Sequence, residues 1–298
     1  MYAIEISKLT KYYGRTRGVL ELDLAVEPGE FFGFIGPNGA GKSTTIRTLL
    51  GLIRPTAGSA LVFGREARGH SRQVLDKVGY LPAEAAFYPG MRVREVLALS
   101  ARLRGRDLAP QGRALCERLQ LDPERRVEEL SFGNRKKVAI VCALQSDPPL
   151  LILDEPTSGL DPLMQREFFD ILKERSARGD TVFLSSHVLS EVQRNCTRAA
   201  IIRKGRLIAC DTVEALARTN ARRVTIRGSA PLDGLPGVRN RVRGDGGESF
   251  LYSGDMGPLL RALAAGQIAD LSVSEPDLEE IFLHYYETEG EGHDAVEA

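Results

Sequence analysis

Gly36-Pro37-Asn38-Gly39-Ala40-Gly41-Lys42-Ser43-Thr44 brings together residue types that hold phosphate. The spacing fits G-x-x-x-x-G-K-[ST], a loop whose backbone amides cradle a polyphosphate. Glycines let such a loop curl with its N–H groups turned inward, and a helix starting there adds positive potential. Lys42 then reaches the outer phosphates and the Ser43 hydroxyl ligates magnesium. The plainer alternatives are a chance glycine-rich turn, or a loop that binds without catalysis.

Two more segments carry chemistry that fits this loop. Leu150-Leu151-Ile152-Leu153 is a short apolar run that ends in Asp154 and Glu155. At the carboxyl end of a buried strand, Asp154 is placed to hold magnesium through water. Glu155 is placed to orient and deprotonate an attacking water. Leu130-Ser131-Phe132-Gly133-Asn134 precedes Arg135-Lys136-Lys137. Ser131 reads as a helix N-cap, with Val138 to Leu144 continuing the helix. A Ser hydroxyl, a Gly amide and a helix N-terminus make an anion site. The first loop already holds one face of the nucleotide, so this second site would serve a nucleotide on another subunit. A capped helix with no ligand is the bland reading.

These groups need elements to position them. Phe31-Phe32-Gly33-Phe34-Ile35 reads as a buried strand before the loop, and Thr45 to Leu50 as a helix after it. Ile4, Ile6, Leu20, Leu22, Leu24 and Val26 alternate, predicting antiparallel strands with one buried face over residues 1 to about 30. Pro28-Gly29 turns the chain into the loop strand. Ser59 to Phe63 and Val78 to Leu81 read as strands. Met91 to about Leu121 reads as helical, with Val93, Val96, Leu97, Leu99 and Leu103 on one face. Leu150 to Leu153 has the continuous apolar character of a central parallel strand. Pro162 to Ala177 is a helix with Pro in its first turn. Thr181 to Ser185 is a buried strand, and Ala199 to Arg203 with Arg206 to Ala209 form a hairpin around Lys204-Gly205. Thr212 to Thr219 reads as a short helix.

The site motifs stop near residue 220. Residues 222–286 then read as a small α+β unit: strand Val224 to Arg227, a glycine-rich turn zone, strand Ser249 to Tyr252, helix Gly257 to Ala265, strand Ile268 to Val273 and helix Asp277 to Tyr286. Arg222, Arg223, Arg227, Arg239, Arg241 and Arg243 suggest either an anionic partner or solvated strand faces. The Gly- and Glu-rich end, 288–298, has a disordered composition.

The 298 residues carry zero formal net charge, which argues neither for nor against nucleic acid. Cys116, Cys142, Cys196 and Cys210 are widely spaced, form no zinc pattern, and read as free thiols of a reducing cytosol. The N-terminus alternates like a strand and lacks the plan of a signal peptide. No apolar run approaches the ~20 residues that span a bilayer. Any membrane crossing then belongs to another chain.

In order and content, residues 1 to about 210 resemble the ATP-binding cassette (ABC) ATPases. The resemblance implies an α/β fold with a P-loop NTPase core, an antiparallel β subdomain and an α-helical subdomain at about 84–145. The nucleotide-binding domain would span 1–220, and a small C-terminal α+β domain 221–287. The family's signature is usually written LSGGQ; here its third and fifth positions are Phe132 and Asn134. The resemblance implies that Ser131 and Gly133 touch the γ-phosphate of ATP held by a partner subunit. Ser158-Gly159-Leu160-Asp161 resembles the D-loop, placing Asp161 at the dimer seam. His187 resembles the switch histidine that contacts the γ-phosphate. Tyr13 resembles the aromatic that stacks on adenine, with Tyr12 as the competing candidate. ATP would then be bound by Tyr13, Gly36, Asn38, Gly39, Ala40, Gly41, Lys42, Ser43 and Thr44. Glu155, His187 and Lys42 would be the catalytic groups, and Ser43 and Asp154 the Mg2+ ligands.

One position departs from the family. After Val78-Gly79-Tyr80-Leu81-Pro82, where a Gln is usual, stands Ala83, followed by Glu84. Ala has no oxygen for magnesium, so Glu84 or water takes that place. Glu275-Pro276-Asp277-Leu278-Glu279-Glu280-Ile281-Phe282-Leu283 resembles the segment closing many ATPase subunits of ABC-2 type exporters. The resemblance implies an ATPase subunit of an exporter of drug, peptide, ion or polysaccharide. It would act at the cytoplasmic face of the plasma membrane as a homodimer or a heterodimer with a second ABC ATPase. It would drive a separate polytopic membrane permease through the surface around residues 84–106, with no nucleic acid partner. The rivals are a soluble cassette ATPase acting on ribosome or DNA, and an importer ATPase.

Overall fold

The computed structural model describes residues 1–217, 221–244 and 247–274. The chain divides into two compact units, one of Met1–Val213 and one beginning at Glu214. The first unit runs β1 (Ile4–Tyr13), β2 (Thr16–Val26), β3 (Phe31–Ile35), α1 (Lys42–Leu49), β4 (Ala57–Val62), β5 (Arg65–Glu66), α2 (Ala67–Leu75) and β6 (Val78–Leu81). It continues α3 (Val93–Leu103), α4 (Ala109–Arg118), α5 (Phe132–Leu144), β7 (Leu150–Asp154), α6 (Pro162–Ala177), β8 (Thr181–Ser186), α7 (Leu189–Asn195), β9 (Arg198–Arg203) and β10 (Arg206–Thr212). A helix α8 (Val213–Ala217) follows.

Two sheets form this unit. One is antiparallel, in the order β2-β1-β4-β5, and the other has the order β10-β9-β3-β8-β7-β6. In the larger sheet β3 runs parallel to β8 and β9, and β7 parallel to β6 and β8. Only the edge pair β9 and β10 is antiparallel. β3, β7 and β8 are buried at every position. That is why each carries an apolar run that shows no alternation, Phe31 to Ile35, Leu150 to Leu153 and Val182 to Leu184. Phe32, Phe34 and Phe183 stack across β3 and β8, with Phe32 and Phe183 centroids 5.9 Å apart. At the opposite end of β7, the buried Arg175 clamps Asp180 at 2.6 Å and also engages Asp147. This fixes how α6, β7 and β8 meet, and hence where the carboxyl ends of the strands lie.

The antiparallel sheet follows the alternation expected over residues 1–30 except at local irregularities, the β1–β2 register shifting between Ile6 and Leu9, Leu9 and Lys11, and Lys11 and Tyr12. Val19 is buried and Leu20 only partly so. Glu21 takes a left-handed φ of 47°, and the pairing with β1 shifts between Leu9 and Lys11. This bulge inserts a residue and flips the buried set beyond it.

The helical stretch expected from Met91 to Leu121 is two helices. Gly105 has φ 64° and ends α3, with the Arg106 amide bonded back to the Ala101 carbonyl at 3.2 Å. This is the glycine C-terminal stop. The buried face of α3 is Val93, Val96, Leu97 and Ala101. Leu103, placed on that face by its spacing, is 79% exposed instead.

The second unit contains β11 (Ala221–Ser229), β12 (Val238–Gly244), β13 (Gly247–Ser253), α9 (Met256–Ala264) and β14 (Gln267–Ser274). Its antiparallel sheet has the order β12-β13-β11-β14, with Val224, Ile226, Phe250, Tyr252, Leu259 and Leu263 in its core. β12 occupies part of the expected turn zone. It is an edge strand with Arg at 239, 241 and 243, whose Val238 packs against the core while Val242 is exposed. Arg241 pairs with Glu248 and with Asp233, both at 2.5 Å. Within the unit this arginine meets the unit's own acids. The expected helix Asp277 to Tyr286, the tail 288–298 and the segment Glu275 to Leu283 lie outside the described residues. All four cysteines are free thiols.

Candidate active site

The site forms where β3, β7 and β8 end side by side, the position at which parallel sheets present ligands. Gly36 follows β3 directly. A Cβ there would stand 2.4 Å from the Ile202 carbonyl of β9. Gly41 caps α1 with φ 111°, and a Cβ there would stand 2.7 Å from the Gly18 carbonyl. Both positions therefore require glycine. Gly39, also left-handed at φ 80°, faces open space, as does the exposed Asn38. Ala40 is buried, its amide bonded to Pro37 and its carbonyl accepting from Gly205. The loop is thus anchored on both sides while its outer curve stays open.

Lys42 opens α1 and is 5% exposed. Its Nζ folds back over the loop, donating to the Gly36 carbonyl at 2.6 Å and the Pro37 carbonyl at 3.3 Å. The same Nζ lies 3.2 Å from Glu155 Oε1. That contact is an ion pair without hydrogen-bond alignment, since Oε1 is a buried oxygen with no hydrogen-bond partner. The other carboxylate oxygen, Oε2, is 2.6 Å from His187 Nδ1. Glu155 thus stands between the loop lysine and the histidine. Its backbone is left-handed, with φ 48°, and its amide bonds the Ser185 carbonyl at 3.0 Å. A non-glycine residue held there is strained, and such strain recurs at functional sites.

Asp154 ends β7 and is 4% exposed. In the parallel register it lies opposite Ser185, whose Oγ donates to Asp154 Oδ1 at 3.0 Å. Oδ2 is left for another partner. Among the described residues no group of three His, Cys, Asp or Glu side chains gathers as a metal site. A site with one carboxylate and one hydroxyl suits magnesium, which takes few protein oxygens beside phosphate and water. Ser43, half-buried at the start of α1, carries a hydroxyl, and Asp154 a carboxylate.

Tyr13 Oη lies 3.5 Å from Thr44 Oγ1, and its half-exposed ring covers Gly18. The backbone amide of Tyr12 is bonded to Thr56 Oγ1 at 3.0 Å. Ser131 caps α5, its Oγ accepting from the Asn134 amide at 3.3 Å. Gly133 lies so close to the Gly159 carbonyl that a Cβ would stand 2.3 Å from it. Asp161 caps α6 through the Leu163 and Met164 amides. The fold therefore brings the Ser131 to Gly133 segment against the Gly159 loop. No hydrogen bond or ion pair among the described residues joins Ser131 or Gly133 to Lys42, Glu155 or His187.

Three polar groups of the site are not evident from motif spacing. Ser185 depends on the register between β7 and β8. Glu191, on α7, accepts from Ser186 Oγ at 3.1 Å, and burial raises its carboxyl above the usual range. Lys136, on α5, is 2% exposed and donates to the Pro82 and Ala83 carbonyls. Burial pulls it down to about 8, against Asp154 and Glu155, which favour its charged form. Glu84, next to Ala83, is exposed.

A lysine curled over a glycine loop, with acids at the end of a neighbouring parallel strand, is the arrangement of a phosphate-loop nucleoside triphosphatase. The family model described as ABC transporter matches residues 19–158. The Nod factor export ATP-binding protein I of Paraburkholderia xenovorans is 37% identical over 294 residues, covering 94% of this chain and 96% of that protein. The bacitracin transport ATP-binding protein BcrA of Bacillus licheniformis is 37% identical over 69% of this chain and 68% of its own. A solved ATP-binding subunit of an ABC transporter superposes with TM-score 0.68 at 31% identity, over 72% of this chain and 92% of that one. A dimeric bacterial ABC transporter cassette shares the fold, with TM-score 0.63 at 22% identity over 70% and 98% of the two chains. The chain belongs to the ABC transporter family and is an ATP-binding, ATP-hydrolysing subunit of such a membrane transporter.

Proposed function

We propose that two copies, or one copy and a related ATPase, pair head to tail around ATP and that Glu155 is the general base of hydrolysis. The observation that carries this reading is the placement of Glu155 between Lys42 and His187 at the mouth of the phosphate loop. Lys42 and the loop amides hold the phosphates. His187 orients the Glu155 carboxylate and reaches toward the γ-phosphate. Tyr13 lies against the adenine. Ser43 and, in part through water, Asp154 would hold magnesium, which would supply charge neutralisation at the phosphate oxygens.

Among the described residues Ser131 and Gly133 make no hydrogen bond or ion pair with this cluster, which supports their serving the partner's nucleotide, with Asp161 at the seam. Ser131→Arg therefore separates the two halves of the reading. Nucleotide affinity of the dilute monomer stays within about twofold, because the loop is untouched, while turnover falls roughly a hundredfold or more. Affinity by fluorescence titration and hydrolysis by phosphate release measure both. A parallel loss of monomer affinity would place Ser131 at its own chain's nucleotide and overturn the head-to-tail arrangement.

The subunit works on a separate polytopic permease at the cytoplasmic face of the plasma membrane, with export as the direction. Relatives named for Nod factor export and bacitracin transport support export. Among the described residues no helix is long and apolar enough to cross a membrane. A groove of about 470 Å³, with Leu75, Phe87, Tyr88, Met91, Leu99 and Leu103 in its walls, supports a docking site for the permease. Tyr88 and Leu103 are 72% and 79% exposed there. The tagged protein, recovered from its native cells in mild detergent, brings down a polytopic membrane protein in stoichiometric amount. Tyr88→Asp with Leu103→Asp loses it while keeping ATP binding. Recovery of ribosomal proteins or nucleic acid in its place would favour the soluble-ATPase alternative.

A further inference from the structure

Lys136 is a buried ammonium whose partners are both main-chain oxygens. Its Nζ donates to the Pro82 carbonyl at 3.0 Å and the Ala83 carbonyl at 2.9 Å. With 2% of its surface exposed, it has exchanged water for these two acceptors. Burying a charge is costly unless it is paired or hydrogen-bonded, so the contact is a specific one.

What it joins gives the contact a role. On one side is α5, whose first turns carry Ser131 as cap and Gly133 against the Gly159 carbonyl. On the other side is the chain leaving β6, beside the strand that ends in Asp154. Leu81 pairs with Leu153 across these strands. That chain runs on through Ala86, Phe87 and Tyr88, which form one wall of the 470 Å³ groove. Ala83 has no side-chain polar atom, so nothing beyond the backbone is available there to tie this chain to the site.

We propose that Lys136 is a positioning residue that fastens the loop Pro82–Tyr88 to α5, so that the helix bearing Ser131 and Gly133 and the groove wall move as one body. The transmission of ATP-driven closure to the groove rests on the head-to-tail reading above. The latch itself does not. In an Ala83 loop the link from nucleotide to groove then runs through the signature helix and a charged side chain.

Amide hydrogen exchange tests both parts separately. In the protein without nucleotide, Lys136→Met removes the donor at similar length, and exchange of residues 84–88 quickens roughly tenfold while the strands keep their protection. Lys136→Arg, which keeps a charged donor, restores most of the protection. A purely space-filling lysine would give the opposite order, with Met tolerated better than Arg. Unchanged exchange at 84–88 in Lys136→Met overturns the latch.

In Glu155→Gln with Mg-ATP, residues 132–138 and 84–88 gain protection over the same ATP concentrations. With Lys136→Met added, 132–138 still respond and 84–88 do not. Separate ATP dependences in the Glu155→Gln protein overturn the transmission even if Lys136→Met fails to fold. Absence of a Glu155→Gln dimer counts against the head-to-tail reading and leaves the nucleotide-free comparison to decide the latch.

Discussion

Glu155→Gln is expected to lower ATP turnover roughly 10²- to 10⁴-fold while ATP binding holds or tightens. The two expectations come from different contacts of one side chain. Glu155 Oε2 faces His187 Nδ1 at 2.6 Å, and the amide keeps the size and hydrogen-bonding capacity of that contact. The left-handed backbone and its bond to Ser185 do not depend on the side-chain charge. What is lost is basicity: an amide does not take a proton from water at neutral pH. The ion pair of Glu155 Oε1 with Lys42 Nζ at 3.2 Å is lost as well. In the native protein an arriving triphosphate competes with that carboxylate for the ammonium and is repelled by its charge. In the Gln variant the competitor is neutral. Nucleotide therefore binds at least as well, and the closed dimer outlives the missing chemical step. Size-exclusion chromatography with Mg-ATP shows the dimer, and phosphate release shows the rate. A variant that turns over like the native protein would remove Glu155 from the role of base.

The sequence was most readable where local chemistry and topology coincide. Phe31 to Ile35 leads into a loop whose glycines at 36 and 41 stand in the pattern itself, although the carbonyls of Ile202 and Gly18 that require them come from distant strands. The acids after Leu153 are legible because the apolar run has the character of a central parallel strand and follows the phosphate loop in the expected chain order. Less was readable where a single residue changes the phase of an element. Glu21 turns left-handed and exchanges Leu20 for Val19 in the core, which no alternation rule foresees. Gly105 ends α3 and sends Leu103 into solvent, where it becomes part of a groove. β12 was hidden because its arginines at 239, 241 and 243 dominate a short edge strand of which only Val238 packs on the core. Lys136 was hidden for a different reason. A lysine beside Arg135 and Lys137 reads as surface charge, and only the tertiary contact with two carbonyls of a distant loop shows it to be buried.

Lys42→Ala is expected to weaken ATP binding roughly ten- to a hundredfold, from the loss of charge-assisted hydrogen bonds to phosphate. Removing the ammonium has a second consequence in this geometry. Lys42 is the cation nearest Glu155 Oε1, and that oxygen is buried without a hydrogen-bond partner. Without Lys42 the Oε1 side of the carboxylate loses its ion pair at the mouth of the loop and faces the charge of the same sign that the phosphates bring. The cost in binding is therefore the lost attraction plus an exposed repulsion, and the two are separable. Lys42→Ala with Glu155→Gln lacks the ammonium but also lacks the opposing charge, so it binds ATP more tightly than Lys42→Ala alone. Fluorescence titration at protein concentrations too low for pairing reads all three variants, with circular dichroism to show that the loop helix remains. Unchanged affinity in Lys42→Ala would count against the whole site. A double variant no better than Lys42→Ala would mean that Glu155 does not face the phosphates, and the general base would then have to be sought elsewhere than at the end of β7.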